Sequence, residues 1–88
     1  MKIYPLVKNT IEVGSHLENG ALVLKYHQTQ MATSEHRAAW VVLCYWSGFK
    51  PFVVWNVYYS DGKFMAERGD YHKTIEESLT TYSERGGH

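Results

Sequence analysis

One cysteine, Cys44, and two prolines, Pro5 and Pro51, are all that the 88 residues hold of the residue types that staple or stiffen a chain. A lone cysteine makes no internal disulfide, which excludes the cross-linked frameworks of small secreted domains. Cys44 sits in an apolar run, where a buried, inert thiol is expected. No stretch approaches the roughly 20 apolar residues that a membrane-spanning helix requires. The opening segment Met1-Lys2-Ile3-Tyr4-Pro5, soon followed by Lys8, lacks the apolar centre of a secretory signal. The cytoplasm is therefore the expected compartment, with no membrane as partner.

Charge of one sign is also missing. Nine Lys and Arg balance nine Asp and Glu, for a formal net charge of zero. Nucleic-acid binders carry a basic stripe, because neutralising phosphates dominates their affinity. A neutral chain does not favour direct nucleic-acid binding, nor does it have the acidic excess of a DNA mimic. The five histidines, His16, His27, His36, His72 and His88, show no metal-ligand spacing, and one cysteine cannot build a structural zinc site. Phosphate-binding glycine loops, dinucleotide fingerprints and nucleophile elbows are all absent. No cofactor, metal or catalytic residue is expected, and the chain does not read as an enzyme.

What the chain has is strand pattern and aromatics. The sequence predicts one α+β domain over residues 1–88, an antiparallel meander of four to five strands with one C-terminal helix packed on one face. Ala21 to Gln28 alternates apolar and polar side chains. Residues 39–46 and 52–59 are β-branched and aromatic on both faces, which belongs in the middle of a sheet. Asp61-Gly62 is a hairpin turn signal ahead of a more polar edge strand over 64–70. Glu18-Asn19-Gly20 marks a further turn, residues 29–37 a loop, and residues 3–13 are a candidate fifth strand. Thr74-Ile75-Glu76-Glu77 matches a capping box and opens a helix over 75–85, with Ile75, Leu79 and Tyr82 as its apolar stripe.

Aromatic residues make up 15% of the chain, among them Trp40, Trp46, Trp55 and seven tyrosines. One short helix covers part of one sheet face, so large side chains on the other face are left to water unless residues 1–20 and 29–37 fold over them. Exposed apolar surface marks binding sites and subunit interfaces, and Trp and Tyr concentrate binding energy there. Trp46, Trp55, Tyr58 and Tyr59 are the candidate partner-binding residues. Simple alternation sets Trp46 and Trp55 on opposite faces, so that a bulge near Gly48 or an offset register is needed to unite them. Asp70, Tyr71 and His72, at the junction with the helix, are candidate ligand-binding residues.

Several segments resemble a group of small uncharacterised proteins of bacteriophages and other mobile elements. They are Ile11-Glu12-Val13-Gly14, Leu17-Glu18-Asn19-Gly20-Ala21, Val41-Val42-Leu43-Cys44-Tyr45-Trp46, Phe52-Val53-Val54-Trp55 and the acidic helix start at Thr74. The group often has a Gly-His-Tyr-like stretch before the helix, where this chain has Gly69-Asp70-Tyr71-His72. The resemblance carries over no site residue. It implies a phage-type inhibitor, one that occludes a surface of a bacterial defence complex of the CRISPR kind.

The first expectation is accordingly a non-enzymatic protein-binding module. Its partner would be a bacterial host protein or nucleoprotein complex, and it would itself form a homo-oligomer or a stable hetero-complex. A small-ligand or nucleotide-sequestering protein is the alternative. A small enzyme with a site near Asp70 and His72 is the second alternative. The helix reading gives the first test. Thr74→Ala should cost about 1 kcal/mol through loss of the cap, and Leu79→Ala roughly 2–4 kcal/mol through a cavity beneath the helix. Negligible effects of both in denaturant melts would contradict that reading.

Overall fold

The computed structural model describes residues 11–17, 19–60 and 62–88. Four strands follow in chain order: β1 Leu22–Gln30, β2 Ala39–Tyr45, β3 Phe52–Ser60 and β4 Lys63–His72. They form one antiparallel sheet in the order β1-β2-β3-β4, and α1 Ile75–Glu84 follows and packs on it. This is the expected α+β meander. Of the proposed fifth strand, residues 3–10 lie outside the described residues, and Ile11 to Val13 are not strand. The hairpin closes at Ser60↔Lys63 with Gly62 at φ +82°; Asp61 lies outside the described residues, as does Glu18 of the first turn.

The sheet buries both its faces. On the first, Trp40, Val42 and Cys44 of β2 meet Val53, Trp55 and Val57 of β3, with Val23, Ile11 and Ala21 joining them and Leu17 packed alongside. On the second, Val41, Leu43 and Val54 lie beneath Tyr82 of α1, with Leu24 at the margin. Burying each such side chain contributes roughly 1.5–3 kcal/mol.

The first face departs from the expectation of large side chains left to water. Trp40 is 3% and Trp55 5% exposed. The segment ahead of β1 helps to cover it, tied down by Gly14 N to Val23 O at 2.8 Å and Val23 N to Ser15 O at 2.9 Å. Residues 31–37, by contrast, are exposed throughout.

The central strands pair without a shift, Val42 opposite Trp55 and Tyr45 opposite Phe52. Partners in a ladder share a face, so Trp55 lies on the side of Val42, Cys44 and Trp46. The expected separation of the two tryptophans is therefore wrong, and no bulge at Gly48 is needed to reunite them.

The bulge occurs in β4 instead. The register shifts between Val54↔Asp70 and Asn56↔Glu67, so that Arg68 and Gly69 together face Trp55. Arg68 takes φ +59° to make it. A bulged, charged strand suits the sheet edge, where regular unpaired backbone invites aggregation.

The helix begins as the sequence predicts. Thr74 is extended, and its Oγ1 accepts from Glu77 N at 3.3 Å. Its buried face differs from the expected stripe. Ser78 and Tyr82 are buried, whereas Ile75 and Leu79 are 38% and 39% exposed. A serine beneath the helix lets the backbone approach the sheet, and its Oγ donates to Ile75 O at 2.7 Å. Polar ties then fix the docking. Arg85 binds Asp70 Oδ2 at 2.5 Å and Asn56 Oδ1 at 3.2 Å, and His72 Nε2 lies 2.9 Å from Thr81 Oγ1. Gly87 closes over the Tyr82 ring, where any Cβ would collide with it.

The exposed position of Leu79 lowers its stake. Tyr82→Ala should cost about 3–5 kcal/mol, as large aromatic truncations in cores do. Leu79→Ala should cost about 1 kcal/mol or less, as surface changes do. Urea melts giving the reverse order would contradict this packing.

Candidate functional site

At one end of the sheet, three segments converge: the β2–β3 loop, the last residues of β4 and the start of α1. The loop is closed by Trp46 N donating to Pro51 O at 2.8 Å, which leaves Ser47 to Lys50 projecting, with Gly48 at φ +150°. Pairing of Phe52 with His72 and Val53 with Tyr71 brings the end of β4 beside it.

Here three rings cluster on the first face. Trp46 and Trp55 have centroids 5.3 Å apart, Trp55 and Tyr71 meet edge-on at 6.1 Å, and Trp46 stacks near Tyr71 at 6.3 Å with 28° between planes. Each such pair adds about 0.5–1.5 kcal/mol beyond burial. The cluster needs the bulge. A Cβ on Gly69 would fall 2.5 Å from Trp55 Nε1 and 3.2 Å from the Tyr71 ring. Only a residue without a side chain lets the indole lie against the β4 backbone.

Outward from this base the rings become accessible. Trp46 is half-buried, Tyr71 is 46% exposed and Phe49, at the loop tip, is 80% exposed. Lys73 Nζ stands 4.6 Å from the Phe49 ring centroid, a cation–π contact. Two shallow hollows adjoin here. One, of about 420 Å³, is walled by Trp46, Phe49 and Tyr71. The other, of about 510 Å³, is lined by Lys50, Tyr71, His72, Lys73, Glu77 and Thr80. Among the described residues, neither lysine has an ion-pair partner; the salt bridge there joins Arg85 to Asp70.

The sequence-predicted residues are sorted by this geometry. Trp46 and Trp55 come together, with Trp55 as buried support rather than exposed anchor. Tyr58 and Tyr59 lie toward the opposite end of β3 on opposite faces. Tyr58 sits beneath Arg37, 4.8 Å from its ring centroid, and Tyr59 sits against Phe64 at 5.0 Å. Asp70, Tyr71 and His72 are divided by strand alternation: Tyr71 joins the rings, while Asp70 and His72 turn to the helix. Sequence reading missed Phe49, Lys50, Lys73 and Gly69. The available signal was an aromatic residue within the turn Ser47-Gly48-Phe49-Lys50-Pro51, where polar residues are the norm.

Nucleophilic chemistry at Cys44 finds no support. The side chain is fully buried, and burial pushes its thiol up to about 12, so it is protonated at neutral pH. Among the described residues, no group of three His, Cys, Asp or Glu side chains is placed to hold a metal ion, and no helix is long and apolar enough to cross a membrane. Comparison with protein-family models, with curated proteins and with solved structures finds no match.

The close approach at Gly69 is testable by itself. Gly69→Ala should displace the Trp55 indole and cost about 1–3 kcal/mol, the usual penalty of overpacking. Near-ultraviolet circular dichroism should weaken while the far-ultraviolet spectrum persists. A variant with unchanged stability and near-ultraviolet signal would contradict the packing of Trp55 on β4.

Proposed function

We propose that the chain is a binding module that engages its partner by contact at the ring corner, without covalent chemistry. Phe49, Trp46 and Tyr71 are the contact residues, and Trp55 is the buried support. The observation that carries this reading is the gradient of exposure within one ring cluster, from Trp55 at 5% to Tyr71 at 46%, with Phe49 80% exposed on the adjoining loop. Rings anchored at their base and presented at their tips lose little conformational entropy on binding, and such residues dominate interface energetics. Lys50, Lys73 and Glu77 supply the polar rim that surrounds apolar contact centres.

Occlusion of a partner protein's surface is the mode of action expected from the sequence, and the projecting Phe49 supports it. A small ring-bearing ligand is a second reading, favoured by the lysine-lined hollow beside Tyr71.

Both readings share one test. Wild-type protein and a Phe49→Ala/Tyr71→Ala variant, each folded by circular dichroism, are immobilised and exposed to bacterial lysate. Retained proteins and small molecules are identified by mass spectrometry. The proposal expects at least one species held by wild type and lost by the variant. Identical retention profiles would overturn it.

A further inference from the structure

We propose that the ring corner takes a nucleoside monophosphate, its base against the rings and its phosphate between Lys50 and Lys73. This rests on the ring corner being the contact surface and names the ligand class.

The argument lies in how the two hollows differ and where they join. The first, about 420 Å³, is walled by Trp46, Phe49 and Tyr71. Stacking against such rings favours any flat heteroaromatic base by about 1–3 kcal/mol and tolerates base identity. The second, about 510 Å³, is lined by two lysines, Lys50 and Lys73. Lys50 and Tyr71 line both, and Lys73 of the second stands 4.6 Å from the Phe49 ring of the first, so the hollows adjoin. A ligand that fills both has a flat ring at one end and an anion at the other. Each volume lies within the range usual for small-molecule sites, about 300–1,000 Å³.

Charge sets the number of phosphates. Lys50 and Lys73 outweigh Glu77 by one positive charge, which favours the about −1.5 to −2 charges of a phosphate monoester over more highly charged phosphates. Lys50 and Lys73 have no ion pair among the described residues, and Lys73 holds a cation–π contact with Phe49 that a phosphate would share. The chain as a whole is neutral, and it lacks the basic stripe that a nucleic-acid strand requires. Glu77 lines the same hollow and repels further negative charge, so a monophosphate is preferred to a triphosphate. His72 is held by Thr81 at 2.9 Å, which fixes that wall of the hollow.

The test titrates the full chain at low ionic strength with AMP, UMP, ATP, adenosine and inorganic phosphate, following tryptophan fluorescence and the thermal midpoint. A peptide of four glutamates ending in tryptophan is the acidic-protein arm. Saturable quenching by AMP and UMP is expected, with adenosine, phosphate and ATP each at least roughly tenfold weaker, a difference of about 1.4 kcal/mol. Added salt should weaken AMP but not adenosine. Lys50→Ala and Lys73→Ala should reduce AMP to the level of adenosine, and Phe49→Ala should weaken both alike. All three positions are exposed, so folding is retained. Absence of saturable binding by either monophosphate at millimolar concentration would overturn the proposal, as would equal or tighter binding of the acidic peptide. If lysate capture still depends on Phe49 and Tyr71 in that event, the ring corner stands as a contact surface and only the ligand class fails.

Discussion

A tryptophan indole laid on bare backbone is the contact on which the rest of this fold is arranged. Trp55 faces the β4 bulge, where Gly69 has no side chain to hold it off. The ring lies on the neighbouring edge strand and is only 5% exposed. Because it is buried, it supports Trp46 and Tyr71 on its outer side. The bulge costs Arg68 a left-handed conformation, and for a residue other than glycine such strain is tolerated only where the surroundings fix it. Here the strained residue lies opposite Trp55, next to the ring cluster.

The same stretch of β4 also holds the helix. Asp70 and His72 point to α1, where they meet Arg85 and Thr81, while Tyr71 between them points to the ring cluster. One extended segment therefore ties the two faces of the sheet together. Tyr71 is flanked on either side by a residue tied to the helix on the opposite face. A small domain with a marginal core gains rigidity from such sharing.

Much of the fold was legible in the sequence because its signals are local. β-branched runs marked β2 and β3, Asp-Gly marked the hairpin, and Thr74 with the following glutamates marked the helix start. What was not legible depends on pairing. The face of Trp55 relative to Trp46 follows from a register that the loop length sets, and strand alternation alone does not contain it. The helix stripe was misread because Ser78 is buried for its smallness, which no hydropathy pattern reports. The ring corner was half legible: Trp46 stood out as aromatic and Tyr71 as part of the Asp70–His72 junction, but Phe49 and Lys50 come from a loop that read as a turn, and Lys73 carried no signal of its own. Gly69 within a strand was the one sequence sign of a close backbone approach, and its partner was visible only in three dimensions.

The central claim is that Trp55 rests on Gly69 and holds Trp46 and Tyr71 in a fixed cluster. Proton nuclear Overhauser contacts in the uniformly labelled chain test it most directly. The account predicts cross-peaks from the Trp55 indole Hε1 to the Gly69 α-protons and from the Trp46 ring to the Tyr71 ring, with the Gly69 α-protons shifted by the indole ring current. Random-coil shifts at Gly69, with no contacts from the Trp55 indole to β4, would contradict it.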